Sequence, residues 1–226
     1  MTGTELSSNL SLRLEDPGES IFTTSAKVDA INIAQKTVVN MLHNGYLTEL
    51  EGSVDSSGGL TSSSLFTDTV KIAFSSLNIS PIRGGVIGVK DKTNEKWCTM
   101  IEVGDVKKLE NSYLAGDTSN PVAWVFQEKV FIKPESCTNL VVLYIAPPVD
   151  YVSTQSDDSV GGMGRECELN PALQEIVLDF AESQLWRMDA KPDRAQTSYN
   201  NALAMIKTLN DRYIIDGPQG IGTKGR

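Results

Sequence analysis

Histidine is almost missing from this chain of 226 residues, His43 being the only one. Histidine is the side chain most often used as a general base, so a nucleophile–base pair has one candidate at most. Cysteine is scarce too: Cys98, Cys137 and Cys167 are widely spaced and form no Cys-x-x-Cys, which argues against a zinc site or a disulfide framework and predicts free thiols. No run of about 18 apolar residues is present, so no membrane-spanning helix is expected. The first fourteen residues contain one basic residue, Arg13, and no apolar core. No secretory leader is predicted there, and synthesis in a cytoplasm is the expectation. Basic residues are outnumbered, 20 Lys and Arg against 29 Asp and Glu, for a formal net charge of −9. A protein that grips nucleic acid does so by neutralising phosphates, so this balance excludes tight electrostatic binding while leaving DNA free to pass nearby.

What is present is a periodicity that changes twice, from helical to β-like and back. Residues 1–23 are polar and weakly patterned, with Leu10, Leu12 and Leu14 alternating before an Asp16-Pro17-Gly18 turn; they predict an arm or a short edge strand. Val28, Ile31, Ala34, Val38 and Leu42 share one helical face, with Thr24 or Ser25 as cap and Asn44-Gly45 as the stop. Residues 51–64 are rich in Gly and Ser and read as a linker. Short β runs follow at 65–74, 86–90, 97–103, 122–126, 129–133 and 140–146. Asp91–Glu95 and Gln127-Glu128 are the predicted hairpin turns, and Val106–Leu109 a helical turn capped by Asp105. Residues 149–167 turn polar and Gly-rich again. Asn170-Pro171 then marks a helix start, because proline at the first helical position lacks only an N–H that would have no partner. Leu173, Ile176, Val177, Phe180, Leu185 and Met188 give this helix its apolar face. After a break at Ala190-Lys191-Pro192, Ala195, Tyr199, Ala202, Ile206, Leu209 and Tyr213 mark another helix, and the two predict an antiparallel hairpin packed on the first. From Ile214 to Arg226, four glycines and a proline predict an extended tail.

Tests for chemistry return little. His43 sits at a helix end, where the dipole favours a partly exposed imidazole. The Gly-rich stretches 83–88, 161–164 and 220–225 lack both the P-loop Gly-Lys-Ser/Thr and a Gly-x-Gly-x-x-Gly following a strand, so they read as turns. Glu49/Glu51 and Asp157/Asp158 flank Ser-rich loops, and Glu166/Glu168 flank a helix N-terminus, both ordinary places for solvated acids. Trp97, Trp124 and Trp186 have apolar neighbours and predict core packing. No catalytic residue, cofactor or metal is expected.

The order of these features resembles the head-to-tail adaptor, or connector, proteins of short-tailed bacteriophages. The residues that carry the resemblance are Leu12–Pro17 leading into Val28–Gln35, Phe131–Pro134 followed by Val141–Pro148, and Asn170–Leu173 through Phe180–Leu185. They span most of the chain, although residues 60–85 depart from the longer proline-marked strand of that family. The resemblance implies a virion protein at the head–tail interface: a homo-oligomeric ring, typically of twelve subunits, docked on the portal protein and receiving the tail nozzle protein. Genomic double-stranded DNA would run through its channel without specific binding. By the same implication the C-terminal tail contacts the portal through Ile214, Ile215, Pro218 and Ile221. The alternatives are another neck or tail-completion protein of a phage, or a carboxylate-dependent glycan hydrolase. The expected architecture is α+β: a small antiparallel helix bundle with an inserted β-rich region and an extended C-terminal arm. Its parts would be an N-terminal arm (1–23), a helical body (24–50 and 168–213), a β-rich insertion with flanking loops (51–167) and an extended tail (214–226).

Overall fold

A computed structural model describes residues 1–56, 58–110 and 116–216, with the backbone alone at positions 110 and 213–216. The elements run in the order α1 (Gly3–Arg13), α2 (Thr24–Met41), β1 (Glu51–Ser56), β2 (Thr61–Ser62), β3 (Val70–Ala73), α3 (Phe74–Leu77), β4 (Val86–Asp91), β5 (Lys96–Trp97), β6 (Thr99–Met100), β7 (Val122–Phe126), β8 (Lys129–Lys133), β9 (Leu140–Ile145), α4 (Pro171–Met188) and α5 (Pro192–Asp216). The fold is α+β, as expected, and it divides into two units. One comprises Met1–Leu50 with Pro148–Arg226, the other Glu51–Pro147.

In the first unit, α4 packs against both α2 and α5, and α1 lies against α2 and α4. The α2 face is the predicted one: Val28, Ile31, Ala34, Val38 and Leu42 are all buried. Thr23 caps it, one residue before the expected Thr24 or Ser25. Asn170 caps α4 by accepting from the Ala172 amide, with Pro171 next, as the Asn-Pro signal predicted. Because α4 meets helices on several sides, it buries Leu178, Ala181 and Trp186 as well as the predicted Val177, Phe180 and Leu185, whereas Met188 is left exposed at its end. Each fully buried Leu or Ile contributes about 1.5–3 kcal/mol.

The N-terminal segment differs from the predicted arm or strand. Thr2 accepts from the Glu5 amide while the Glu5 carboxylate accepts from the Thr2 amide, and this capping box starts α1. Leu6, Leu10 and Leu14 then fall on one buried stripe, while Leu12 is 68% exposed. The spacing of four outweighs the alternation of two. Residues 149–167, expected among the loops of the insertion, cluster with the helical unit instead. Their backbone is bonded to it: the Thr4 amide donates to Met163 O, and Asn32 donates to Tyr151 O and accepts from the Tyr151 amide.

The second unit holds two sheets, β1-β9-β4-β5 and β2-β3-β8-β7-β6. Residues alternate along β7 and β8. Ala123, Val130 and Ile132 join Val89, Leu140 and Val142 of the other sheet in one core, so the sheets face each other as a sandwich. Val122, Trp124 and Phe131 point the other way and form a separate cluster with Leu109. The β7–β8 hairpin turns on Gln127 and Glu128, both with positive φ, which is the two-residue turn the sequence predicted.

The predicted linker 51–64 contains β1 and β2. Its polar residues form a strand because β9 supplies the partner, in register from Glu51↔Ile145 to Ser56↔Leu140. Gly52 lets the Tyr144 ring lie close over this strand, since a Cβ there would be 3.1 Å from the ring and would make it shift. The run 97–103 is broken between sheets: β5 pairs with β4, whereas β6 runs parallel to β7. Trp97, expected in the core, is 58% exposed because β5 is a two-residue edge strand. The turn expected at Val106–Leu109 lies within a longer 3-10 segment, Val103–Glu110.

Candidate functional site

The residues expected to contact a portal fall at the end of α5. The helix continues through Asp216, so Ile214 and Ile215 extend it instead of opening an extended tail. The reason is local: no residue between Asp211 and Asp216 breaks a helix, and the first that do are Gly217 and Pro218. The side chains of Ile214 and Ile215, and all of Pro218 and Ile221, lie outside the described residues. Just before them, the segment that follows α2 clasps α5. Tyr46 Oη donates to Leu209 O at 2.8 Å, Asn210 Nδ2 donates to Met41 O at 2.9 Å, and the His43 amide donates to Asn210 Oδ1. Beside this clasp is a shallow cavity of 330 Å³ lined by Ala172, Ala204, Met205, Thr208, Leu209 and Arg212. α5 is 25 residues long and its antiparallel partner α4 is 18, so α5 outruns α4 by about 10 Å at 1.5 Å per residue.

His43 is exposed, and its Nδ1 accepts from the Gly45 amide at 3.1 Å, which caps the turn that follows α2. Its position agrees with the reading as a residue at a helix end. Among the acids, Arg13 on α1 binds three carboxylates along α4: Glu175, Asp179 at 2.6 Å and Glu182 at 3.7 Å. Burial pushes the Asp179 carboxyl above its ordinary value, with Arg13 opposing and the charges of Glu182 and Glu175 adding to it. The neighbouring open cavity of 390 Å³ is lined by Arg13, Glu182, Trp186 and Arg194 among others. Lys191 and Arg194 lie 4.7 and 4.8 Å from the Trp186 ring, so this face is a charge mosaic built around an aromatic.

Among the described residues two carboxylates are buried outright. Asp16, in the predicted Asp-Pro-Gly turn, accepts from the Phe22, Ile21 and Ser20 amides and the Ser20 hydroxyl. The Phe22 amide is the largest influence; with Ser20 and Ile21 it outweighs burial and holds the carboxyl down to about 2. The Lys27 ammonium, also buried, donates to Asp16 O at 3.2 Å and lies 3.7 Å from Oδ2. Asp91, at the end of β4, accepts from the Thr93 and Asn94 amides and from Asn94 Nδ2. Burial alone would raise this carboxyl. Hydrogen bonds from Asn94, the Cys137 thiol and the Thr93 amide outweigh it and hold the group below its ordinary value. Both acids therefore organise turns.

All three thiols are free and buried. Burial, reinforced by the Asp91 charge, pushes Cys98 up to about 12, and Cys137 and Cys167 are also raised, chiefly by burial. Thiolate chemistry is suppressed at all of them. Of the Gly-rich stretches read as turns, 83–88 is a turn only over 83–85, its last three residues opening strand β4, and 161–164 folds against Asp157 and Asp158, where a Cβ at Gly162 would lie 2.1 Å from Asp157 O. The stretch 220–225 lies outside the described residues. Among the described residues no three His, Cys, Asp or Glu side chains are grouped to hold a metal ion, and no helix is long and apolar enough to cross a membrane.

The class defined by this geometry is an α+β protein with a sandwich inserted between two helices of a bundle. No protein-family model matches the chain, and no curated protein matches it.

Proposed function

We propose that the chain is a structural virion protein, the head-to-tail adaptor of a short-tailed bacteriophage, acting as an oligomeric ring between portal and tail. The observation that carries this reading is the architecture. A helical unit is interrupted between Leu50 and Pro148 by a β-rich unit, and its last helix leads into a segment of Gly, Pro and Ile. That is the order of parts the resemblance implies.

The physical logic follows from the end of α5. The helix outruns α4 and is clasped near Asn210, so whatever follows Asp216 starts from a fixed point. A short Gly/Pro segment with Ile221, together with Ile214 and Ile215, supplies apolar contacts that can order on a portal surface. The net charge of −9 suits a channel through which DNA slides without being held. Portal docking through Ile214, Ile215, Pro218 and Ile221 would then lock each subunit, with the tail nozzle bound afterwards.

The test is native mass measurement and imaging of the purified chain alone and with portal rings of its own phage, using the full chain and a form ending at Tyr213. The expected result is a ring, of about twelve copies in the general pattern of closed cyclic oligomers, formed by the full chain on the portal. The shortened chain should stay folded and fail to bind. A full chain that never associates with the portal, or a shortened one that binds equally well, overturns the reading.

A further inference from the structure

The outer face of the β2-β3-β8-β7-β6 sheet carries a cavity of 460 Å³, within the range of about 300–1,000 Å³ typical of ligand pockets. Its floor is Trp124, fully buried and stacked on Phe131 at 5.7 Å and 6°, with the Phe66 ring edge-on to both at 5.2 Å. Val106 and Leu109 line one side. Leu65 and Val103 line it while remaining 63% and 39% exposed, so the apolar surface continues out of the mouth.

Three observations give the occupant its chemistry. The Trp124 indole N–H is buried and has no acceptor among the described residues, an unmet donor that an occupant supplying an oxygen would satisfy. In a chain with an acidic excess, the charged residues lining this cavity are both cations, Lys107 and Lys133. Neither forms an ion pair among the described residues, whereas the neighbouring Lys108 is held by Asp105. An apolar floor, an unused donor and two uncommitted cations together match an apolar group with a carboxylate beside it. The exposed Leu65 and Val103 favour a chain segment over a compact small molecule, because a segment covers the rim as well as the floor.

We infer that this cavity is a peptide-docking site, taking an aromatic or branched apolar side chain from an extended partner segment whose adjacent carboxylate pairs with Lys107 and Lys133. It is formed entirely by residues of the β-rich unit, and it does not rest on the adaptor reading. An arriving carbonyl or carboxylate oxygen displaces the neighbours that cover the Trp124 N–H and accepts from it, the side chain packs against Phe66 over the Trp124 floor, and Leu65 and Val103 are covered.

The probes are acetyl-Gly-Phe-Asp-Gly amide, its Phe-Lys and Ser-Asp counterparts, and phenylacetate, titrated into the isotope-labelled full chain. The signal is the Trp124 indole N–H resonance, assigned by its loss in Trp124→Phe. The Phe-Asp peptide should shift it saturably and bind at least about tenfold more tightly than the other three, a difference of roughly 1.4 kcal/mol. Lys107→Glu should weaken the Phe-Asp peptide and strengthen the Phe-Lys one, which a merely unfolded variant would not do. No saturable shift at millimolar peptide, or equal affinity for the Phe-Lys peptide, overturns the site. Phenylacetate binding as tightly as the peptide overturns the peptide assignment.

Discussion

Asp91→Ala should destabilise the β-rich unit by about 2–3 kcal/mol. The wild-type carboxylate accepts from the Thr93 amide at 2.8 Å, the Asn94 amide at 3.2 Å and Asn94 Nδ2 at 2.7 Å. Hydrogen bonds to a charged acceptor contribute about 1.5–3 kcal/mol each, so simple addition would give more than twice the expected loss. Two effects reduce it. The donors are only partly buried, so water can replace the carboxylate, and the variant escapes the cost of burying a charge. Asp91→Asn keeps an acceptor of the same shape and should lose about 1 kcal/mol. Urea unfolding followed by tryptophan fluorescence in a Trp186→Phe background, which leaves Trp97 and Trp124 of the β-rich unit as reporters, reads both. The pH dependence supplies a second check. Because the folded carboxyl lies below its unfolded value of about 3.9, its contribution is complete above that pH and lost as pH falls through the lower folded value. The gap between wild type and Asp91→Ala should therefore shrink in acid. An Asp91→Ala protein within about 0.5 kcal/mol of wild type, or a gap that widens in acid, would refute the idea that this carboxylate organises the turn.

With all three thiols buried and their ionisation raised, a chromogenic disulfide reagent near pH 8 should show no fast phase, and labelling should track unfolding in urea. One thiol reacting at the rate of a free peptide cysteine would contradict this. Gly162→Ala should cost at least about 2 kcal/mol, because its Cβ would meet Asp157 O at 2.1 Å and this loop carries the Met163 carbonyl that accepts from α1. A melting temperature equal to wild type would mean that the loop re-forms without that contact.

Elements that satisfy their own rules were legible in the sequence. The α4 start follows from Asn170-Pro171, the β7–β8 hairpin from two dense apolar runs around Gln127-Glu128, and α2 from one uninterrupted stripe. Elements that depend on a distant partner were not. β1 is a polar segment that becomes a strand only because β9 lies beside it, and no local pattern marks Gly52 as the place where Tyr144 crosses. For α1 the signal was present: Thr2-x-x-Glu5 is a capping box, and Leu6, Leu10 and Leu14 recur every four residues. The Leu10, Leu12, Leu14 alternation competed with it, and tertiary burial decided between them. At the proposed docking cavity, apolar neighbours identified Trp124 as a core residue. They could not show that its N–H lacks an acceptor, because that depends on Phe66 and Leu109 closing over a sheet face.

Several polar side chains of the helical unit, buried or half-buried, bond to loop backbone. Asp16 with Lys27 fixes the turn between α1 and α2, Asn32 holds Tyr151 by two hydrogen bonds, and Gln174 donates to Leu169 O. Segments with few apolar residues are thus ordered within the single chain. Fixing a residue costs about 1–2 kcal/mol in backbone entropy, and here that cost is met on folding, not on binding. A partner meeting α1 or the 148–170 segment would find a preformed surface, and its affinity would depend on contacts alone. The segment after Asp216 differs in composition: four glycines and one proline bring little apolar area per residue. Whatever it binds must supply the complementary surface, so in the adaptor reading the portal must present a groove for Ile221, and portal substitutions should matter as much as those in the tail.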